Sequence, residues 1–375
     1  MNPLTDNESV HVVDYDSREE WSEYIRIVGD KDIFYAPEYG HLYEKRGEGK
    51  ACLFVYRNNG AMVCYPFLIR RIDFPQGLGE LAPEGEWFDI TTSYGYGGPL
   101  CNLAAGEDKD SLIAKFERRF GEFCRERRIL TEFVRFHPLL DNHRNYPGVK
   151  PTNIRSTICV DLRVPEAALT SHYCSDHRRA LRKINEHPVS FRQVDPLDRV
   201  DVFLRLYRET MGGLQANDYY YFNEEFCLES CRLLGDQVAM FEVLYEDEPI
   251  CSATVWLHKP YMHGFLLGWD KQYKKLNPTK YLIHNIALWG LRNGYDFLHL
   301  GGGYAGNDDP LYHFKKGFGS NNEYDYYVGK KVHFPEIYDR MKERLANQAF
   351  DDFFPIYRHP HFDNVLYDSR KRDAI

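Results

Sequence analysis

Between His299 and Gly319 the chain reads HLGGGYAGNDDPLYHFKKGFG. An apolar run, Tyr295 to Leu300, leads straight into Gly301, Gly302 and Gly303. Glycine admits positive φ and lets a ligand come close to the backbone. Tyr304, Asn307, Asp308 and Asp309 follow, then Tyr312, His313, Phe314, Lys315, Lys316 and Phe318. Backbone donors, two carboxylates, imidazoles and two ammonium groups are thus gathered in one short stretch. Their chemistry is the binding of charge and the movement of protons. Each group also has a structural alternative. Asp309 before Pro310 has the form of a helix N-cap. His299 shares a strand face with Phe297 and fits a core position. The glycines also suit a plain tight turn.

The elements around this stretch follow a plan that occurs twice. Helical periodicity over 17–46 is broken near Pro37. Two strand patterns follow, 51–56 and 62–69, with Asn58-Asn59-Gly60 between them as a hairpin signal. The glycine-aromatic segment SYGYGGPL (93–100) carries Tyr94 and Tyr96. A helix with Leu112, Phe116, Phe120 and Phe123 at helical spacing is predicted over 108–128, before a strand at 131–136. Further along, helices over 202–211 and 224–234 precede a hairpin of 238–245 and 250–257. A third strand is predicted at 261–267, a helix at 279–293 ending at Asn293-Gly294, and a strand at 297–300. Between the halves, the run from Asp176 to Lys183 places Arg178 and Arg182 on one helix face, as a phosphate-binding fork or a solvated basic face.

With 375 residues the chain is too long for one ordinary core and calls for two domains. Its net charge of −9 excludes a general duplex-DNA binder. From Lys271 to Lys331, however, nine basic residues outnumber five acidic ones, so a local anion site fits. Nine cysteines, an odd number without a CxxC pair, together with a polar, acidic N-terminus, point to reduced thiols and a cytoplasmic protein. No cysteine has an evident histidine partner in the sequence, so thiol catalysis is not expected. No run of 18 apolar residues occurs, so no membrane span is expected.

Four segments, SYGYGGPL (93–100), HRRALRKINEH (177–187), LYRETMGGLQANDYYYF (206–222) and the stretch from Gly268 to Gly319, resemble the Fem-type aminoacyltransferases and their GNAT-superfamily relatives. The resemblance spans roughly residues 20 to 330. It implies an α/β (mixed α+β) fold of two tandem GNAT-like units, each a mostly antiparallel twisted sheet flanked by helices. The implied division is 1–160 for the first unit, 161–190 for a basic connecting helix, 191–335 for the second unit with the active site, and 336–375 for a C-terminal extension.

The family joins an acyl group to an amine, and well-known members draw an amino acid from aminoacyl-tRNA for a peptidoglycan precursor. Such transfer needs a deprotonated amine, a stabilised tetrahedral oxyanion and two aligned substrates. The resemblance places Lys315 beside the transferred acyl group. Asp308 and Asp309 would hold the incoming ammonium or take its proton, with His299 as another base. Gly301 to Gly303 would let the donor approach the backbone, and Tyr304, Asn307, His313, Phe314 and Lys316 would bind substrate. Tyr94, Tyr96 and Lys45 would serve the acceptor, and Arg178 and Arg182 phosphates. Acyl-CoA enzymes of the superfamily carry a (Q/R)xxGx(G/A) phosphate loop, but the corresponding stretch here is KKLNPTKY (274–281), without glycine. The expectation is therefore an acyltransferase needing no resident cofactor, with the acceptor end of aminoacyl-tRNA as donor and a peptide-like, cell-wall or small-molecule amine as acceptor. CoA-dependent N-acylation of an amino sugar or other small amine is the alternative. A degenerate GNAT scaffold that only binds a ligand or partner is the non-enzymatic one.

Overall fold

A computed structural model of the chain describes residues 8–29, 31–106, 108–214, 221–304, 309–319, 322–346, 353–360 and 362. The backbone divides into two units, 1–153 with 327–375, and 154–326.

The first unit runs β1 (Ser9–Asp14), α1 (Arg18–Ile27), α2 (Pro37–Lys45), β2 (Lys50–Asn58), β3 (Ala61–Arg71), β4 (Phe88–Thr91), β5 (Leu100–Asn102), α3 (Lys109–Glu126) and β6 (Ile129–Arg135). Asn59 and Gly60 both take positive φ, 48° and 90°, which is the backbone a two-residue hairpin turn needs between β2 and β3. Asp108 caps α3 by accepting from the Ser111 amide. One stripe of α3, Leu112, Phe116, Phe120 and Cys124, is buried with Phe54, Tyr65 and Val134 of the sheet. Each such side chain stabilises by about 1.5–3 kcal/mol when fully buried.

The second unit holds β7 (Thr152–Asp161), α4 (Ser175–Ile184), β8 (Val189–Val194), α5 (Pro196–Leu214), α6 (Glu224–Leu234), β9 (Val238–Tyr245), β10 (Glu248–His258), β11 (Tyr261–Trp269), α7 (Pro278–Arg292), β12 (Phe297–Gly301) and α8 (Pro310–Lys316). Its strands lie in the order β7-β12-β11-β10-β9-β8. All neighbours are antiparallel except β11 and β12. That parallel pair needs a crossover, and α7 supplies it. Pro278 opens α7, where its missing N–H costs nothing. Leu282, Ile283, Ile286 and Ala287 bury one face of α7 against Phe241, Val255 and Leu298. The helix ends at Asn293, followed by Gly294 at φ 74°.

The chain then returns to the first unit through β13 (Glu323–Val332) and α9 (Pro335–Leu345). Val328 to Val332 pair antiparallel with β6, giving the sheet order β1-β2-β3-β4-β6-β13. The strand orders of the two units share one plan. An outer strand and a hairpin precede a fourth strand, which runs parallel to the fifth, and an antiparallel sixth strand completes the order. In each unit that sixth strand lies outside the repeated run: β7 precedes the second run and β13 follows it. Among the described residues, no helix is long and apolar enough to cross a membrane.

Candidate active site

Backbone pairing between β11 and β12 ends at His263 and His299, although β11 continues to Trp269 and β12 to Gly301. On its other side β12 pairs with β7, and a register shift separates His299 from Gly301. Gly301 then takes φ 73°, a conformation other residues rarely adopt, and turns the chain out of the strand. The strand end is thereby freed from its parallel neighbour and re-aimed at the glycine turn.

α8 faces that turn. Lys315 donates from Nζ to the Gly302 carbonyl at 2.7 Å. Burial pulls its ammonium down to about 8, opposed by the nearby Asp309 carboxylate and reinforced by the Arg155 guanidinium. At neutral pH this lysine is charged but holds its proton loosely. Asp309 is the N-cap of α8. Its Oδ1 accepts from the Tyr312 amide at 2.8 Å, and Oδ2 accepts from the Tyr304 amide at 2.5 Å. Gly303 makes this possible, because a Cβ there would stand 2.1 Å from Asp309 Oδ2. The aspartate closes the loop onto the helix and sets the field around Lys315.

His299 is buried in β12, and its Nδ1 lies 3.3 Å from Nδ1 of His263, its register partner. Between two such nitrogens one must donate and the other accept. Tyr304 is exposed, and its carbonyl, like that of Gly303, faces Arg155 Nη1. Phe314 is half-buried and packs on Phe318, while His313 is exposed beside Tyr312. Lys316 pairs with Glu323 at 2.6 Å, away from the Lys315 contact. Asn307 and Asp308 lie outside the described residues. Arg178 is tied to the Tyr173 carbonyl, whereas Arg182 is exposed on α4. Tyr94, Tyr96 and Lys45 belong to the first unit. There the Tyr94 carbonyl accepts from Tyr39, Tyr96 packs edge-on against Phe34 and His137, and Lys45 is exposed at the end of α2. The second unit therefore brings together the glycine turn, Tyr304, Asp309 and Lys315.

Two features escaped the sequence reading. Arg155 comes from β7, whose alternating polar residues gave no strong strand signal, and donates at 2.8 Å to the Gly303 carbonyl. The expectation that no cysteine has a histidine partner is overturned: Cys174 Sγ lies 3.1 Å from His177 Nδ1. The Cys-x-x-His spacing at a helix start was the available signal, since i and i+3 meet on a helix.

No curated protein sequence matches the chain. Residues 171–316 match the family described as Acetyltransferase (GNAT) domain. The structure is similar to that of FemX, with a TM-score of 0.64 at 10% identity, covering 90% of this chain and 99% of that one. It is also similar to L-PGS from Bacillus licheniformis (TM-score 0.51, 12% identity, 84% and 91% covered). A third match is the C-terminal domain (DUF2156) of a putative lysylphosphatidylglycerol synthetase from Agrobacterium fabrum (TM-score 0.50, 13% identity, 87% and 96% covered). At such identities the likeness is one of fold. Residues 171–316 thus carry a GNAT-type domain by sequence, and the chain has a FemX-like fold.

Proposed function

We propose that this protein is an acyltransferase that forms an amide on an amine acceptor, with the aminoacyl ester of tRNA as donor. The observation that carries the reading is the desolvated Lys315 ammonium on the carbonyl of the glycine turn, with Arg155 and Asp309 beside it. When an amine attacks the ester carbonyl, a C–N bond forms and negative charge gathers on the carbonyl oxygen. Lys315 stabilises that charge. As the C–O bond breaks, the departing alkoxide takes a proton, and an ammonium with a pKa of about 8 is well matched to supply it. The attacking amine gives up its own proton to a base, for which His299 and Asp308 are the candidates. Asp309, with an amide on each oxygen, positions the turn instead.

The start of α7 supports an ester donor over a CoA pyrophosphate. Asn277 stands in the left-handed region and Pro278 has no N–H, while the Lys280 and Tyr281 amides are already turned to the Asn277 carbonyl. A cradle of free backbone donors is absent from these described residues. The acetyltransferase description of the matching domain favours acetyl-CoA as a second reading.

Calorimetry with charged tRNA and, separately, with acetyl-CoA at two salt concentrations separates the two. Binding of charged tRNA that weakens with salt, and no heat from acetyl-CoA, is the expected result. Saturable acetyl-CoA binding without tRNA binding would overturn the donor.

A further inference from the structure

We infer that Cys174 and His177 form a histidine-activated thiol site that exchanges with low-molecular-weight disulfides, and that its modification loosens the helix carrying Lys315. The inference does not depend on which acyl donor the protein uses.

Cys174 is the N-cap of α4, a helix of ten residues, so its sulfur sits at the positive end of the helix dipole. His177, one turn on, is buried, with Nδ1 3.1 Å from the Cys174 sulfur. Its Nε2 lies 2.9 Å from the Phe314 carbonyl oxygen. A carbonyl only accepts, so Nε2 carries the proton and Nδ1 presents its lone pair to the thiol. The S–H therefore donates to a base already held in the right tautomer. Burial, with Lys280 of α7 nearby, keeps the imidazole below its usual range, against the opposing pull of the Phe314 carbonyl and Asp176. It is thus neutral, with its Nδ1 lone pair free to accept the thiol hydrogen bond. The ring is fixed by an edge-on contact with Phe318, at 4.4 Å between centroids.

Cys174 is half-buried rather than sealed in the core. Cys101 and Cys231 are exposed to a similar degree, and burial raises both of those thiols. In the exchange, the Cys174 sulfur attacks one sulfur of the disulfide. A new S–S bond forms and the reagent's S–S bond breaks. The thiol proton passes through His177 to the departing thiolate, so Cys174 is oxidised and one half of the reagent is reduced to a thiol.

The site is tied to α8 by two bonds. The Cys174 amide donates to the Gly317 carbonyl at 2.8 Å, and His177 holds the Phe314 carbonyl. There is no slack here, since a Cβ on Gly317 would lie 2.5 Å from His177 Cε1. A group attached to the Cys174 sulfur therefore displaces the imidazole and releases the end of α8.

The test uses the full chain with glutathione disulfide, quenched over time and mapped by peptide mass. Cys174 is expected to react at least about tenfold faster than Cys101 and Cys231. His177→Gln should remove most of that lead. Amide exchange over 310–319 should rise in the adduct and fall again after dithiothreitol. Equal rates for the three cysteines in the unsubstituted protein would overturn the activated thiol, whether or not the variant folds. A selective adduct with unchanged exchange over 310–319 would overturn the link to α8.

Discussion

An ammonium is costly to remove from water, and Lys315 shows the cost in its depressed pKa of about 8. If the charged form works on the oxyanion, activity falls as pH rises through about 8. Lys315→Met should lower kcat by about 10²–10³-fold, in the range seen when one oxyanion donor is lost. Lys315→Arg keeps its charge at every accessible pH, so the surviving activity should lose the limb near 8. A pH–rate profile of the three proteins checks this, and an Arg variant retaining the limb would assign it to another group. The same shift has a sign for stability. Between the folded value near 8 and the unfolded value of 10.5, the unfolded chain holds a proton that the folded one has released. The stability of the native protein relative to Lys315→Met therefore increases with pH across that window, as urea melts at its two ends should show.

Short elements depend on their ends, and α8 has few residues to lose. Asp309→Ala removes its cap at an expected cost of about 1 kcal/mol. Gly303→Ala places a Cβ where Asp309 Oδ2 now sits, so it removes the same contact from the other side. The double variant should therefore cost clearly less than the sum of the singles, whereas independent costs would show that the loop and cap are not coupled. Elsewhere in the second unit, Glu242 of β9 is fully buried between Arg192 of β8 and Arg199 of α5. Replacing both arginines by alanine leaves a buried charge without these partners, at an expected cost of about 3–5 kcal/mol in a denaturant melt. Either single replacement should cost less, because the other guanidinium remains.

What the sequence displayed of these elements follows from how each is stabilised. α7 was legible because Leu282 and Ile286 repeat on one face and Asn293-Gly294 closes it. The hairpin of β2 and β3 was legible because Asn59 and Gly60 are residue types that accept its turn. β1, β7, β8 and β13 were not read, since polar residues interrupt their alternation and partners distant in the chain complete them. At the site, the aspartate before Pro310 already had the form of a cap. By contrast, the desolvation of Lys315 and the approach of Arg155 depend on β7 lying beside β12, a neighbour relation that local patterns do not carry.

The return of β13 to the first unit decides which pieces of the molecule can stand alone. Residues 154–326 contain most of β7 and all the other strands of their own unit. They also contain a continuous core from Val160 through Phe241, Leu282 and Leu298 to Phe318. A fragment with these bounds is expected to fold and to melt in one cooperative transition. Residues 1–153 alone lack β13 and α9, which bring Ile337, Tyr338, Met341 and Leu345 onto Ile72, Trp87 and Leu130. Ile356 and Tyr357 join the same cluster. At about 1.5–3 kcal/mol for each buried side chain, their loss is comparable with the whole stability of a domain, about 5–15 kcal/mol. That fragment should be unfolded by circular dichroism. A permuted chain that links 327–362 to it should recover the transition, because it restores β13 without the second unit. If residues 1–153 instead fold unaided, the return of the chain serves the covering of an already stable core, and the tie between the termini of the first unit is not what completes it.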